Sequence, residues 1–68
     1  MTNKAEETYR AWLAADEAWS AELRRAFGKQ AGDMRYLPQG RGAPGSALRV
    51  TYEAFCAGRE AWEVANRR

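Results

Sequence analysis

The sequence predicts an all-α protein, an antiparallel hairpin of two long amphipathic helices joined by a Gly/Pro-rich loop. Three observations carry that expectation. Large apolar residues recur at three- and four-residue steps in two separate stretches, and each stretch begins just after a residue suited to cap a helix. Both prolines and most of the glycines lie between the two.

The first helix is expected over residues 4–27. Asn3 can cap it with Glu6 three residues on, and good helix formers then run unbroken to Phe27, before Gly28. Tyr9, Trp12, Leu13, Trp19, Leu23 and Phe27 fall on one face, with Asp16 in the middle of it. Met34 keeps phase with Leu23 and Phe27, which allows the helix to continue as far as residue 34.

Residues 28–45 read as a connecting loop of eighteen residues, where antiparallel helices need only about two to eight. Excess of that kind in a small domain is usually functional or disordered, and the content argues against plain disorder. Met34, Tyr36 and Leu37 lie amid Asp33, Arg35 and Pro38, a cluster able to cap the open end of the core or to present anchors to a partner.

Pro44, Gly45 and Ser46 announce a second helix over about 47–66, with Ser46 as N-cap and Leu48, Tyr52, Phe55 and Trp62 as its apolar stripe. Arg59 interrupts that stripe as Asp16 interrupts the first. Pairing Phe27 with Leu48 places Leu23 opposite Tyr52, Trp19 near Phe55, Leu13 and Trp12 against Trp62, and Asp16 opposite Arg59. The expected reading of Asp16 and Arg59 is therefore a structural ion pair that fixes register, because a desolvated charge left unpaired costs several kcal/mol.

Sixty-eight residues make a single domain of marginal stability, for which the usual reinforcements are disulfides, metals or self-association. One cysteine, Cys56, and no histidine remove the first two. Small residues form a second row on each helix: Ala11, Ala14, Ala18 and Ala21 on the first, and Ala47, Ala54, Gly58, Ala61 and Ala65 on the second. Such rows permit close helix approach, so a homodimer completing a four-helix bundle is expected. No apolar segment follows Met1-Thr2-Asn3-Lys4, which favours a cytoplasmic protein without a membrane partner.

Gly40-Arg41-Gly42-Ala43-Pro44-Gly45 matches the spacing of a dinucleotide fingerprint, but no strand precedes it and no Lys-Ser/Thr pair ends it as in a P-loop. Cys56 has no histidine to activate it, and Trp12, Trp19 and Trp62 share the phase of the core stripe. Neither a catalytic set, a metal site nor a cofactor site emerges, so a non-catalytic role is expected.

Charge locates the expected binding surface. Met1 to Leu23 carries two basic against five acidic residues, a net of −3, whereas Arg24 to Arg49 carries six basic residues against Asp33 alone, a net of +5. Arg24 and Arg25 complement the dipole at the end of the first helix. Arg49 has no such account, because it stands in the first turn of the second helix, where a cation is disfavoured. Arg24, Arg25, Lys29, Arg35, Tyr36, Arg41 and Arg49 are thus expected to meet an acidic protein partner. The function that follows is a protein-interaction module docking on a larger assembly, in the manner of small inhibitory or adaptor proteins such as those encoded by phages or mobile elements. A nucleic-acid-binding accessory using the same basic end ranks second, since strong nucleic-acid binders carry a continuous basic stripe. A purely structural self-assembling bundle is a third reading.

Overall fold

A computed structural model describes residues 3–67. Helix α1 spans Lys4–Phe27, α2 is the single turn Ala31–Met34, and α3 spans Ala47–Asn66. Short 3-10 turns at Gly28–Gln30 and Pro38–Arg41 complete the elements, and no strand occurs among the described residues. Both expected N-caps form: the Asn3 side chain accepts from the Ala5 amide at 2.8 Å, and Ser46 Oγ accepts from the Arg49 amide at 3.1 Å.

Helix α1 ends at Gly28 and does not continue to Met34. Gly28 adopts φ +58°, a left-handed conformation that favours glycine, and its amide closes the helix on the Arg24 carbonyl. The chain then changes direction, so Met34 ends a separate turn.

α1 and α3 pack as an antiparallel hairpin 39 Å long and 19 Å across. Aromatic rings form the seam. Trp12 lies 5.2 Å from Trp62 and 6.2 Å from Phe55, while Trp19 lies 5.0 Å from Phe55 and 5.2 Å from Tyr52, between ring centroids. The expected pairings of Trp19 with Phe55 and of Trp12 with Trp62 are therefore present.

The charged pairing is not. The backbones come close where Gly58 meets Trp12, whose Cα would stand 3.1 Å from a Cβ at that glycine. Counting antiparallel from this approach puts Asp16 opposite Ala54 and Arg59 opposite Ala11, about one turn away from the expected register. Asp16 is held instead by Arg35, and Arg59 lies on the surface beside Glu63 at 3.7 Å. The two charges that interrupt the stripes thus find separate partners, Asp16 from the loop and Arg59 along its own helix.

The long connection is ordered and folds back on α1. Trp19, 3% exposed, and Leu23, 2% exposed, are the buried hydrophobic residues among those described, and the returning loop covers them. Gly40 is buried at that point, and its carbonyl accepts a 3.0 Å hydrogen bond from Trp19 Nε1. A Cβ on Gly40 would stand 2.0 Å from the Met34 carbonyl oxygen, so no larger residue fits. Gly40 of the G-x-G-x-x-G spacing serves close backbone packing.

Gly40→Ala is expected to lower unfolding stability by about 3 kcal/mol or more, because backbone stands against backbone and cannot yield. Gly32, in α2, has open space where its Cβ would be, so Gly32→Ala is expected to raise stability by about 0.5 kcal/mol. Urea denaturation of the two variants measures both signs.

Candidate partner-binding cleft

Where the folded loop meets the seam between α1 and α3, a cleft of about 390 Å³ opens. Trp19, Tyr52 and Phe55 give it an aromatic lining, joined by Arg35, Tyr36, Arg41, Arg59 and Cys56. Four segments supply these groups because the loop doubles back: α1 brings Trp19, the turn after α2 brings Arg35 and Tyr36, the 3-10 turn Pro38–Arg41 brings Arg41, and α3 brings Tyr52, Phe55, Cys56 and Arg59.

Arg35 is the fixed cation of the cleft. Its guanidinium bonds Asp16 Oδ1 and Ser20 Oγ, the latter at 3.0 Å, and lies over the rings of Trp19 at 4.7 Å and Phe55 at 5.2 Å. Its side chain is 23% exposed and that of Asp16 37%. The charge is answered within the chain, so Arg35 acts mainly as a brace from the loop to α1 and to the aromatic seam.

Arg41 and Arg59 differ from it. Arg41 is exposed and stands over the Tyr52 ring at 5.8 Å. Arg59 is 57% exposed, and its contact with Glu63 at 3.7 Å is too long for a hydrogen bond. Tyr36 is 82% exposed, well above the other exposed large hydrophobics, and shares the cleft with both. Tyr52 is held above its ordinary pKa of 10.0, first by hydrogen bonding with Cys56 one turn on and then by burial, while Arg41 and Arg49 pull in the opposite direction. At neutral pH its phenol remains a hydrogen-bond donor.

Of the residues expected at the partner surface, the fold brings Arg35, Tyr36 and Arg41 together. Arg49 is elsewhere engaged: its Nε donates to the Gly42 carbonyl at 3.0 Å, tying the loop to the first turn of α3. That bond gives a cation at a position the helix dipole disfavours a local role in holding the loop, although a neutral carbonyl does not cancel its charge. Arg25 pairs with Glu22 at 3.1 Å. Arg24 lies on a smaller cavity of about 280 Å³, lined also by Ser20, Leu23, Gly28, Ala31, Gly32 and Arg35, and Lys29 is exposed on the adjoining turn.

Sequence reasoning missed Arg59, Tyr52, Phe55 and Cys56 as cleft residues. Tyr52 and Phe55 lie in the core stripe and Cys56 beside it, and all three are only half-buried. The signal for Arg59 was its interruption of that stripe, which was assigned to Asp16. Among the described residues no group of three or more His, Cys, Asp or Glu is placed to hold a metal ion.

Compared with known proteins, the chain matches no family model, no curated protein and no solved structure.

A double-mutant cycle over Asp16→Ala and Arg35→Ala is expected to give a coupling of about 1–2 kcal/mol, between the values typical of exposed and of buried pairs. The same cycle over Asp16→Ala and Arg59→Ala is expected to give nearly additive losses. Strong coupling in the second cycle, read by chemical denaturation, would restore the register that faces Asp16 with Arg59.

Proposed function

We propose that this chain is a non-catalytic protein-interaction module that docks on a larger protein through an acidic surface received at the Tyr36–Arg41–Arg59 cleft. The observation that carries the reading is the 82% exposure of Tyr36 beside two cations with no close hydrogen-bonded carboxylate. Tyrosine and arginine dominate binding energy at protein interfaces, since each offers a large contact area and a polar end. A role as an inhibitor or adaptor of a larger cytoplasmic assembly fits a small chain of this kind, and no helix among the described residues is long and apolar enough to cross a membrane.

Nucleic acid is the weaker candidate, because Met1 to Leu23 carries a net −3 and breaks any continuous basic stripe along α1. Phosphate contacts would make binding fall steeply with salt across mixed sequences.

The reading also takes the working form to be a homodimer, a four-helix bundle of two hairpins. Its support is thermodynamic. Trp19 and Leu23 are the buried hydrophobic residues described, while Tyr9, Leu13, Val50 and Val64 are 44–59% exposed. A core so small gives a lone hairpin little stability. Sedimentation at micromolar concentration is expected to give a dimer mass; a stably folded monomer would remove the assembly.

Arg35 and Arg49 brace the loop, so the informative variant leaves them in place. The triple substitution Tyr36→Ser, Arg41→Gln and Arg59→Gln is expected to keep helicity and melting temperature nearly unchanged. It should weaken binding to a purified partner, first identified by capture with the wild-type chain, by about a hundredfold, a combined loss of roughly 2.8 kcal/mol over the three side chains. Undiminished binding by the folded triple variant would move the interface to the outer helix faces.

A further inference from the structure

The cleft joins two kinds of surface that are seldom adjacent without use: ring faces and free guanidinium groups. Tyr52, Phe55 and Tyr36 supply rings, and Arg41 and Arg59 supply charge from opposite ends of a turn-and-helix frame. Arg35 adds no free charge, because Asp16 answers it. The volume of about 390 Å³ is that of one or two side chains, so the occupant is a short segment.

The charge balance narrows the occupant further. Glu63 stands 3.7 Å from Arg59 and offsets part of its charge, leaving Arg41 as the full free cation. That remainder suits a single carboxylate better than a phosphate dianion. Among the described residues, no helix of eight residues or more begins at the cleft floor to add the row of amides that a phosphate site uses. Tyr36 stands open on the rim, where an incoming ring can stack on it by one face and leave its other face to an arginine.

We infer that the cleft takes an acidic–aromatic peptide motif, with one Asp or Glu carboxylate between Arg41 and Arg59 and the neighbouring aromatic side chain laid against Tyr36. This deepens the proposal of an acidic protein partner and rests on it. It states which feature of that partner is read: a carboxylate next to a ring, in an exposed segment. An acidic surface without the ring would leave the Tyr36 face unfilled.

Cys56, the sole cysteine and a lining residue of half-buried exposure, reports occupancy directly. An uncharged alkylating agent, iodoacetamide, modifies it at a rate that falls by a factor of one plus the ratio of ligand concentration to dissociation constant. At three times that constant the slowing is about fourfold. The probes are acetyl-Asp-Phe-Glu-amide, the same peptide with Asn and Gln for the acids, the same peptide with Ala for Phe, and inorganic phosphate, each at millimolar concentration. The full peptide is expected to slow alkylation about fourfold, and the other three little. Arg41→Gln with Arg59→Gln is expected to abolish the protection, with circular dichroism showing the fold intact. Equal protection by the Ala peptide would overturn the aromatic requirement while leaving an acidic partner in place. Equal protection by phosphate would overturn the peptide in favour of a phosphate ligand. Unchanged alkylation with every probe would overturn both the motif and the cleft as the docking site.

Discussion

The fold hangs on one side chain, the indole of Trp19, and on the hydrogen bond from its Nε1 to the Gly40 carbonyl. The ring is buried at the contact of three segments: it belongs to α1, packs on Tyr52 and Phe55 of α3, and lies beneath Arg35 from the turn between. Its polar end then fixes the returning loop. A buried indole N–H without a partner costs about 1–3 kcal/mol, so the bond specifies where the loop must lie as well as stabilising it. Trp12 shows the contrast, since its Nε1 is buried with no hydrogen-bond partner and its ring contributes packing alone.

Much of this was legible in the residues. Helix limits follow from local chemistry, in which Asn3, Ser46 and Gly28 act through their own backbone and nearest neighbours. The apolar stripes also gave two of the aromatic pairings across the seam. What escaped was the loop. Trp19 and Gly40 are 21 residues apart, and nothing in the spacing of either shows that an indole in a core stripe will choose a loop carbonyl. Asp16 was misassigned for a related reason. The sequence offered Arg59 as the cation in the opposing stripe, whereas α1 turns its Asp16 toward the flank on which Arg35 arrives.

The arginines of the loop end show how a single residue type divides its work. Arg35 and Arg49 are tied to Asp16 and to the Gly42 carbonyl and act as braces. Arg25 pairs along its own helix with Glu22. Arg41 and Arg59 extend over ring and solvent with weaker ties. A net charge of +5 over one segment thus overstates the charge offered to a partner, and the geometry of internal acceptors decides which cations are left to act. The candidate cleft was visible in the sequence as a basic loop with Tyr36 in it, but its aromatic lining required the fold.

The bond between Trp19 and Gly40 also bears on the order in which the chain assembles. Loop-closure cost rises with the length of chain enclosed, by about 0.6 kcal/mol for each doubling. Joining Trp19 to Gly40 encloses 21 residues, while meeting Trp62 from Trp12 encloses more than twice that span. The cheaper closure is the one that wraps the loop over the end of α1. By that measure, closing the loop over Trp19 costs about 0.8 kcal/mol less chain entropy than joining Trp12 to Trp62, so a folding nucleus is cheaper at the loop end of the hairpin than at its open end.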